Sequence, residues 1–161
     1  MSAATDISIR PLDHLVLLGR DDDPALILRD RVLTFKDLRS RVSLLAGWLI
    51  RQVPQEGARV ASWLAKGEMA CLLPLAAARA GLVHVPINPL LKRAQAAHIL
   101  ADSGAGLLIA TEARLKALEP GDVPESCAAM PELEALGEAE GLGLVLPPSS
   151  ANVHNLAAIL Y

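Results

Sequence analysis

The stretch that decides the fold is RAGLVHVPINP, which runs from Arg79 to Pro89. A helical pattern precedes it, and Gly81 supplies the left-handed backbone conformation at which many helices end. Leu82–Ile87 then has the apolar, β-branched character of a short strand. Asn88 and Pro89 mark the turn that follows. The stretch therefore predicts a helix, a strand and a turn in direct succession, which is the unit of a parallel sheet.

Similar signals repeat on both sides of this stretch. Strands alternating with helices predict the α/β class, with a mostly parallel sheet, helices on both faces and a small N-terminal hairpin. Residues 119–140 are acidic and interrupted by Pro and Gly, which predicts a long connection with one helix near Pro131–Leu136. The other predicted elements are a hairpin over Ala25–Phe35, strands at Arg59–Ala65, Leu107–Ala110, Leu142–Leu146 and Leu156–Tyr161, and helices at Thr34–Arg51, Glu68–Ala80, Lys92–Asp102 and Glu112–Leu118.

The first long helix has the clearest signals. Thr34 lies three residues before Asp37, as an N-cap with a carboxylate in the first turn should. Leu38, Val42, Leu45 and Leu49 follow at steps of four, three and four, so they share one helical face. We expect Leu45, in the middle of that face, to be buried against the sheet.

The composition is strongly apolar for 161 residues. Hydrophobic residues make up 52% of the chain but aromatic residues only 2%, and the mean hydropathy is +0.36. An excess of this kind fits a piece of a larger body whose cut face was once buried. It fits equally well a GC-rich genome that favours Ala and Leu, so both explanations stay open.

The charge is unevenly distributed. All 15 Lys and Arg residues lie at or before Lys116, whereas seven acids follow it. This acidic region is typical of a solvated face or loop. No basic run with interleaved aromatic residues occurs, so the sequence predicts no nucleic-acid partner.

Cysteine use and hydropathy favour a cytoplasmic protein. Cys71 and Cys127 match no metal or redox spacing, which is typical of thiols in a reducing compartment. The N-terminus lacks the basic-then-apolar pattern of a signal peptide. Met69–Leu91 is largely apolar, but Arg79 and His84 interrupt it, and a spanning helix needs about 20 apolar residues. We therefore predict no membrane span.

No phosphate-binding glycine fingerprint is present. The pairs Gly104/Gly106 and Gly141/Gly143 both lack the third glycine of the dinucleotide-binding pattern, so they are interpreted as turn glycines. An unrelated doubly wound nucleotide binder would need that fingerprint.

The four histidines have no acidic or cysteine partner at ligand spacing. They are His14, His84, His98 and His154. His84 alternates with two valines on a strand and is expected on a polar or interfacial face, and His98 is expected at a helix surface. We therefore predict no catalytic, cofactor-binding or metal-binding residue in this chain.

Two segments resemble the first two core motifs of the AMP-forming acyl-CoA ligases, members of the adenylate-forming superfamily. They are Leu33–Leu38 and Ala77–Pro89, and the broader resemblance covers about residues 12–161. Asn88 is similar to the Asn common in acyl-CoA ligases, where peptide-synthetase adenylation domains more often carry Asp. The run Asn88–Leu100 also resembles the ligase subgroup linked to exosortase and exopolysaccharide gene clusters.

The resemblance implies an enzyme that activates a carboxylic acid with ATP to an acyl-adenylate and passes the acyl group to CoA, releasing AMP. In the family a strand like 155–161 runs into a Ser/Thr/Gly-rich loop that holds the ATP phosphates, and residues 1–161 contain no such loop. We therefore expect an N-terminal fragment that is inactive alone and whose partner is the remainder of the parent ligase. ATP, Mg²⁺ and CoA are implied for that parent, and none for the fragment.

Two further expectations concern the last residues and an alternative role. Residues 155–161 are apolar on both faces, as in a central parallel strand, and an open outer edge there predicts self-association. The alternative function is a stand-alone, non-catalytic interaction or regulatory module that keeps the ligase subdomain fold.

Overall fold

The computed structural model describes residues 10–150, 152 and 154–161. The first nine residues, which are part of the N-terminal pattern judged for a signal peptide, lie outside this description. Residues Leu12–Leu17 form a 3-10 helix. The remaining elements, in chain order, are β1 (Pro24–Ile27), β2 (Val32–Thr34), α1 (Phe35–Gln52), β3 (Arg59–Trp63), α2 (Glu68–Arg79), β4 (Val83–Pro86), α3 (Arg93–Ser103), β5 (Leu107–Ala110), α4 (Glu112–Lys116), β6 (Ala128–Pro131) and α5 (Glu132–Leu142).

The strands form a hairpin and a parallel sheet. β1 and β2 pair antiparallel, whereas the larger sheet has the order β4-β3-β5-β6 with every pair parallel. Val60 in β3 lies between His84 in β4 and Leu107 in β5. Because α2 connects β3 to β4 and α3 connects β4 to β5, each crossover contains a helix. The predicted α/β class and the N-terminal hairpin are confirmed.

Helices cover both faces of the sheet, as expected. One core cluster joins α1, α2 and α5 to the strand residues Val60 and Ile109. The other joins α3 to Trp63, Val85 and Leu108. Neighbouring strand residues therefore face opposite layers, which explains why β5 is buried along its whole length.

The first long helix has the predicted start and the predicted buried face. Thr34 Oγ1 accepts a hydrogen bond from Asp37 N (3.2 Å), and Asp37 Oδ2 accepts one from Thr34 N (2.9 Å), so the two residues form a capping box. All four apolar residues of the stripe are buried, and Leu45 is 1% exposed. Burial of this stripe fastens α1 to the sheet.

The helix that opens the deciding stretch also ends where expected. α2 runs from Glu68 to Arg79 with Pro74 inside it. Gly81 has a φ of 71°, the left-handed conformation that glycine adopts without strain. Leu82 N then donates to Ala77 O (2.8 Å), which turns the chain directly into β4.

The acidic region contains a strand that the sequence analysis missed. β6 pairs with β5 from Leu107↔Ala128 to Ala110↔Pro131, inside the predicted connection 119–140. Its four residues are Ala, Ala, Met and Pro, none of them β-branched, so the sequence pattern for a strand is weak. The helix predicted near Pro131–Leu136 is present as α5.

The strand predicted at Leu142–Leu146 is wrong. Leu142 is the last residue of α5, and Gly143 then adopts a left-handed conformation with a φ of 62°. The chain beyond it lies on α1 instead of in a sheet: Ser43 Oγ donates to Leu146 O (2.5 Å), and Leu146 N donates to Ser43 O (3.4 Å). An apolar extended segment can thus satisfy its polar groups on a helix.

The buried strand predicted at 155–161 is also wrong. Only Ala158 bridges to the sheet, opposite His84 of β4, and the segment forms no regular strand. Leu160 is 77% exposed and Tyr161 is 54% exposed. Pro86 of β4 explains why the pairing does not continue. Along a strand of a parallel sheet, the backbone N–H and C=O groups of alternate residues face the same neighbouring strand, so those of His84 and Pro86 face the same edge. Pro86 has no N–H to donate there.

Candidate functional site at the carboxyl edge of the sheet

Parallel sheets bind ligands beyond the carboxyl ends of their strands, so this edge is the first place to look for a site. Here the strands β3, β4, β5 and β6 end at Trp63, Pro86, Ala110 and Pro131. The segments that follow these residues bring several polar side chains to one edge of the molecule.

Arg114, in α4, links the ends of three strands. Its Nη1 donates to Trp63 O (3.2 Å) at the end of β3, and its Nη2 donates to Pro89 O (3.0 Å) in the turn after β4. α4 itself begins just after β5, where the Thr111 side chain accepts from Arg114 N (3.4 Å). The guanidinium therefore holds the β3 and β4 ends against the helix that follows β5.

Arg114 also interacts electrostatically with a residue at the end of the fourth strand, β6. Burial raises the pKa of Glu132, the first residue after β6, and the charge of Arg114 partly opposes that rise. Within the described residues, no carboxylate lies within ion-pairing distance of the Arg114 guanidinium. A half-buried cation without a bound carboxylate at this edge can bind an anionic group.

Trp63 lies beneath this cation. Its ring centroid is 5.3 Å from the Arg114 guanidinium carbon, within the range of a cation–π contact. The residue is 3% exposed, and its Nε1 is one of two buried side-chain polar atoms that lack a hydrogen-bond partner in the described part of the chain. The other is Nη2 of Arg79.

A second polar cluster at this edge is structural. Glu68, in the first turn of α2, is 8% exposed and pairs with Arg31 of the hairpin and with Arg41 of α1 (2.7 Å). Arg41 also reaches Glu140 of α5 (3.3 Å). A buried carboxylate must be neutralised, and these pairs do so while joining four elements.

The opposite, amino edge of the sheet has an ion pair and a cavity. Arg79 Nε donates to Asp13 Oδ2 (3.2 Å), and Ser149 donates to the same carboxylate from its N (2.9 Å) and its Oγ (2.6 Å). A cavity of about 1020 Å³ opens beside Arg79, between Val53, Leu82 and the segment around Pro147. Burial raises the pKa of Asp13, but the hydrogen bonds from Ser149 and Arg79 outweigh it and hold the pKa below its ordinary value.

His84 does not lie on a polar or interfacial face as predicted. It is 6% exposed, and its Nε2 shares a hydrogen bond with Ser62 Oγ (2.8 Å) across β3 and β4. Burial lowers the pKa of His84 to about 4, so the ring is neutral near pH 7. No described carboxylate hydrogen-bonds to this pair, and without an acidic partner it does not form a catalytic triad.

The other residues considered from sequence form no common site. His98 is exposed, as predicted, and His14 Nε2 is hydrogen-bonded to Ser149 O (2.8 Å). Gly104 and Gly143 end α3 and α5 with φ values of 62°, as turn glycines do. Gly141, interpreted as a turn glycine, instead lies in the last turn of α5.

Asn88 has a local role that can be seen directly. Its Oδ1 accepts a hydrogen bond from Leu90 N (2.9 Å), which closes the turn after β4. An aspartate carboxylate would accept the same bond. The Asn side chain therefore stabilises the turn after β4.

The described residues contain neither a metal-binding group nor a membrane-spanning helix. No three His, Cys, Asp or Glu side chains lie together so that they could hold a metal ion. Every helix in the described ranges is too short or too polar to cross a membrane.

The family model for "AMP-binding enzyme" matches residues 17–161 of this chain. The chain belongs to this family. Surfactin synthase subunit 1 of Bacillus subtilis is 31% identical over 136 residues, which cover 84% of this chain and 4% of the synthase.

Solved structures show the same fold. The N-terminal subdomain of Klebsiella oxytoca NpsA in complex with 3-hydroxyanthranilyl-AMSN superimposes with a TM-score of 0.81 and 18% identity, over 99% of this chain and 39% of that one. A benzoate CoA ligase from Burkholderia xenovorans LB400 gives a TM-score of 0.79 and 19% identity, over 89% and 31% of the two chains. The chain thus has the fold of the N-terminal subdomain of adenylate-forming ligases.

The chain is short beside all of these proteins. It spans 2–4% of the length of the curated synthetases that it matches and 14–42% of the solved chains. The family resemblance is confirmed, and the relatives include peptide synthetases as well as a CoA ligase.

Sequence reasoning did not find Arg114 or Trp63. The only signal was positional: each belongs to, or closely follows, a strand of a parallel sheet, where polar and aromatic side chains at the carboxyl end favour a binding role.

Proposed function

We propose that residues 1–161 form the N-terminal part of the adenylating domain of an ATP-dependent acid–thiol ligase. The support is the family match over residues 17–161, together with a parallel sheet whose carboxyl edge presents the half-buried Arg114. The proposal places the substrates of the longer protein on the Arg114 side of this subdomain.

The proposed reaction has two steps. A carboxylate oxygen of the acid attacks the α-phosphorus of ATP, the bond to pyrophosphate breaks, and an acyl-adenylate forms. The sulfur of a thiol then attacks the acyl carbon, its proton is lost, and the bond to AMP breaks. The described residues form no metal-binding group, so no step is assigned to Mg²⁺ on this chain.

CoA is the proposed acceptor. The resemblance of Asn88 to acyl-CoA ligases supports it, and so does the chemistry of Arg114, whose planar donors suit the phosphate groups that CoA carries. The alternative acceptor is the phosphopantetheine thiol of a carrier protein. It is considered because the curated relatives are peptide synthetases.

The test compares acceptors and variants in the longer protein that the proposal implies. With an acid that supports ATP–pyrophosphate exchange, CoA thioester should form, and Arg114→Gln should raise KM for CoA several-fold while exchange stays unchanged. Arg20→Gln is the matched control, because Arg20 is exposed and pairs only with Asp23 among the described residues. Thioester formation on a carrier protein but not on CoA would reject CoA as the acceptor, and equal KM values would reject the role of Arg114.

The second candidate function is a non-catalytic one. A stand-alone interaction or regulatory module would keep the subdomain fold without the chemistry. The reading frame beyond the codon for Tyr161 discriminates between the two: a Thr/Ser/Gly-rich stretch followed by Pro-Lys identifies the ligase, and an immediate stop codon favours the module.

A further inference from the structure

Residues 157–159 are attached to the sheet through a single residue of β4. His84 N donates to Ala157 O (2.9 Å), and Ile159 N donates to His84 O (3.0 Å). These two bonds are the whole ladder between this segment and β4 in the described part of the chain. His84 is therefore the residue of β4 through which the segment 157–159 pairs with the outer edge of the sheet.

The neighbouring outward position of β4 prevents the ladder from growing. Val83 N and Ile87 N donate inward, to Ala58 O (2.9 Å) and Ser62 O (2.7 Å). Alternation then directs His84 and Pro86 outward, and the next parallel bond would need an N–H on residue 86 to reach Ile159 O. Proline has none, so the pairing stops after Ile159.

The contacts of the following residues agree with this stop. The Tyr161 hydroxyl donates to Asp102 of α3 (2.7 Å), so the Tyr161 side chain contacts a helix. The segment therefore pairs with β4 at His84 and does not pair with it at Pro86.

The His84 side chain stabilises the position of β4 to which residues 157–159 are attached. Its bond to Ser62 Oγ (2.8 Å) links the buried side chains of β4 and β3, and His84 and Ser62 are both 6% exposed. We propose that His84 and Pro86 together form a junction that limits this pairing to one residue of β4. His84, whose side chain is held by Ser62, positions Ala157–Ile159 on β4. Pro86 ends the pairing after Ile159.

In the ligase the junction acts as a positioning device, and this part of the inference rests on the proposed function. It sets the point at which the chain departs from the sheet, near the edge strand that leads to the Asn88 turn. Neither His84 nor Pro86 is assigned contact with substrate.

The test uses amide hydrogen exchange followed by NMR on the 161-residue chain. Ser62→Ala should speed exchange of the Ile159 amide roughly fivefold, as expected for loss of one intramolecular hydrogen bond. Ser43→Ala is the matched control: Ser43 is equally buried at 6% exposed, but it bonds to Leu146 O, and the Ile159 amide should be unchanged. Equal effects of the two substitutions would contradict the role of Ser62.

Pro86→Ala tests the stop. It restores a donor at the outer edge, so the amide introduced at position 86 should be protected and exchange at Ile159 should slow. Pro120→Ala, at an exposed proline in the loop before β6, should leave exchange at Ile159 unchanged. Free exchange of the introduced amide in Pro86→Ala would overturn the proposal.

A second readout separates the junction from the proposed function. In the longer protein, Pro86→Ala should lower the rate of ATP–pyrophosphate exchange several-fold, and Pro120→Ala should not. If no acid supports exchange, the proposed function fails while the amide results still decide the junction. If exchange is normal and equal in both variants, the junction has no positioning role.

Discussion

Gly47 in α1 lies directly against the carbonyl group of Leu144, and a Cβ at position 47 would overlap that oxygen. The close approach lets the segment after α5 cross α1, where Ser43 bonds to Leu146. Glycine inside a helix lowers the stability of the helix by about 1 kcal/mol relative to alanine. The packing of Leu144 against Gly47 offsets that loss.

Gly47→Ala should therefore destabilise the protein by about 1–3 kcal/mol, the usual range for overpacking, even though alanine favours the helix. Gly137→Ala is the control, because Gly137 lies inside α5 with open space around it and should gain about 0.5–1 kcal/mol. The measurement is a denaturant titration of both variants. Stabilisation by both substitutions would show that the 144–146 segment does not pack on α1.

Leu45→Ala tests the core. The side chain is 1% exposed in the cluster between α1, α2 and the sheet, so its truncation should cost about 2–5 kcal/mol of unfolding free energy. Leu133→Ala, at a residue 78% exposed on α5, should stay within about 0.5 kcal/mol. A change below half a kilocalorie per mole for Leu45→Ala would mean that the buried face of α1 is misassigned.

His84 should make stability depend on pH. Its folded pKa, near 4, lies below the ordinary value of 6.5, so the unfolded chain binds a proton first as the pH falls. Stability should thus fall between pH 6.5 and 4, by at most roughly 3 kcal/mol if the whole shift counts. Urea titrations across this window should show the slope, His84→Gln should flatten it, and His98→Gln, at an exposed site, should not. An unchanged slope in His84→Gln would contradict the assigned burial.

Much of the fold could be predicted because local signals and tertiary packing agree. The stripe on α1, the Thr34–Asp37 cap and the Gly81 exit each specify their own geometry within a few residues. β6 could not be predicted, because its alanines become a strand only through pairing with β5. The segments after α5 and before Tyr161 failed for a related reason: apolar runs predict extended backbone, but Gly47 and Pro86 decide what that backbone can pair with.

The candidate site was less accessible from sequence. Arg114 and Trp63 are 51 residues apart and meet only because β3 and β5 are neighbours in the sheet. The Ser62–His84 bond likewise depends on the register of β3 against β4. No spacing rule predicts such pairs until the strand order is known.

Self-association through the last residues stays a proposal. Leu156 is 58% exposed and Leu160 is 77% exposed, and the outer side of the Ala158 bridge has no neighbour among the described strands. Exposed edges beside apolar side chains favour pairing with a second copy. Light scattering should show a dimer or larger species for residues 1–161 and a monomer for a chain that ends at Ser150. Two monomers at high concentration would reject this interface.

ATP–pyrophosphate exchange tests the central claim most directly, because it reports acyl-adenylate formation and no later step. A panel of carboxylic acids should be assayed with residues 1–161 and with the longer protein that the reading frame encodes. We expect acid-dependent exchange from the longer protein and none from residues 1–161, which contain no Gly-rich phosphate loop. Robust exchange by residues 1–161 alone, or none from the longer protein with any acid, would contradict the claim.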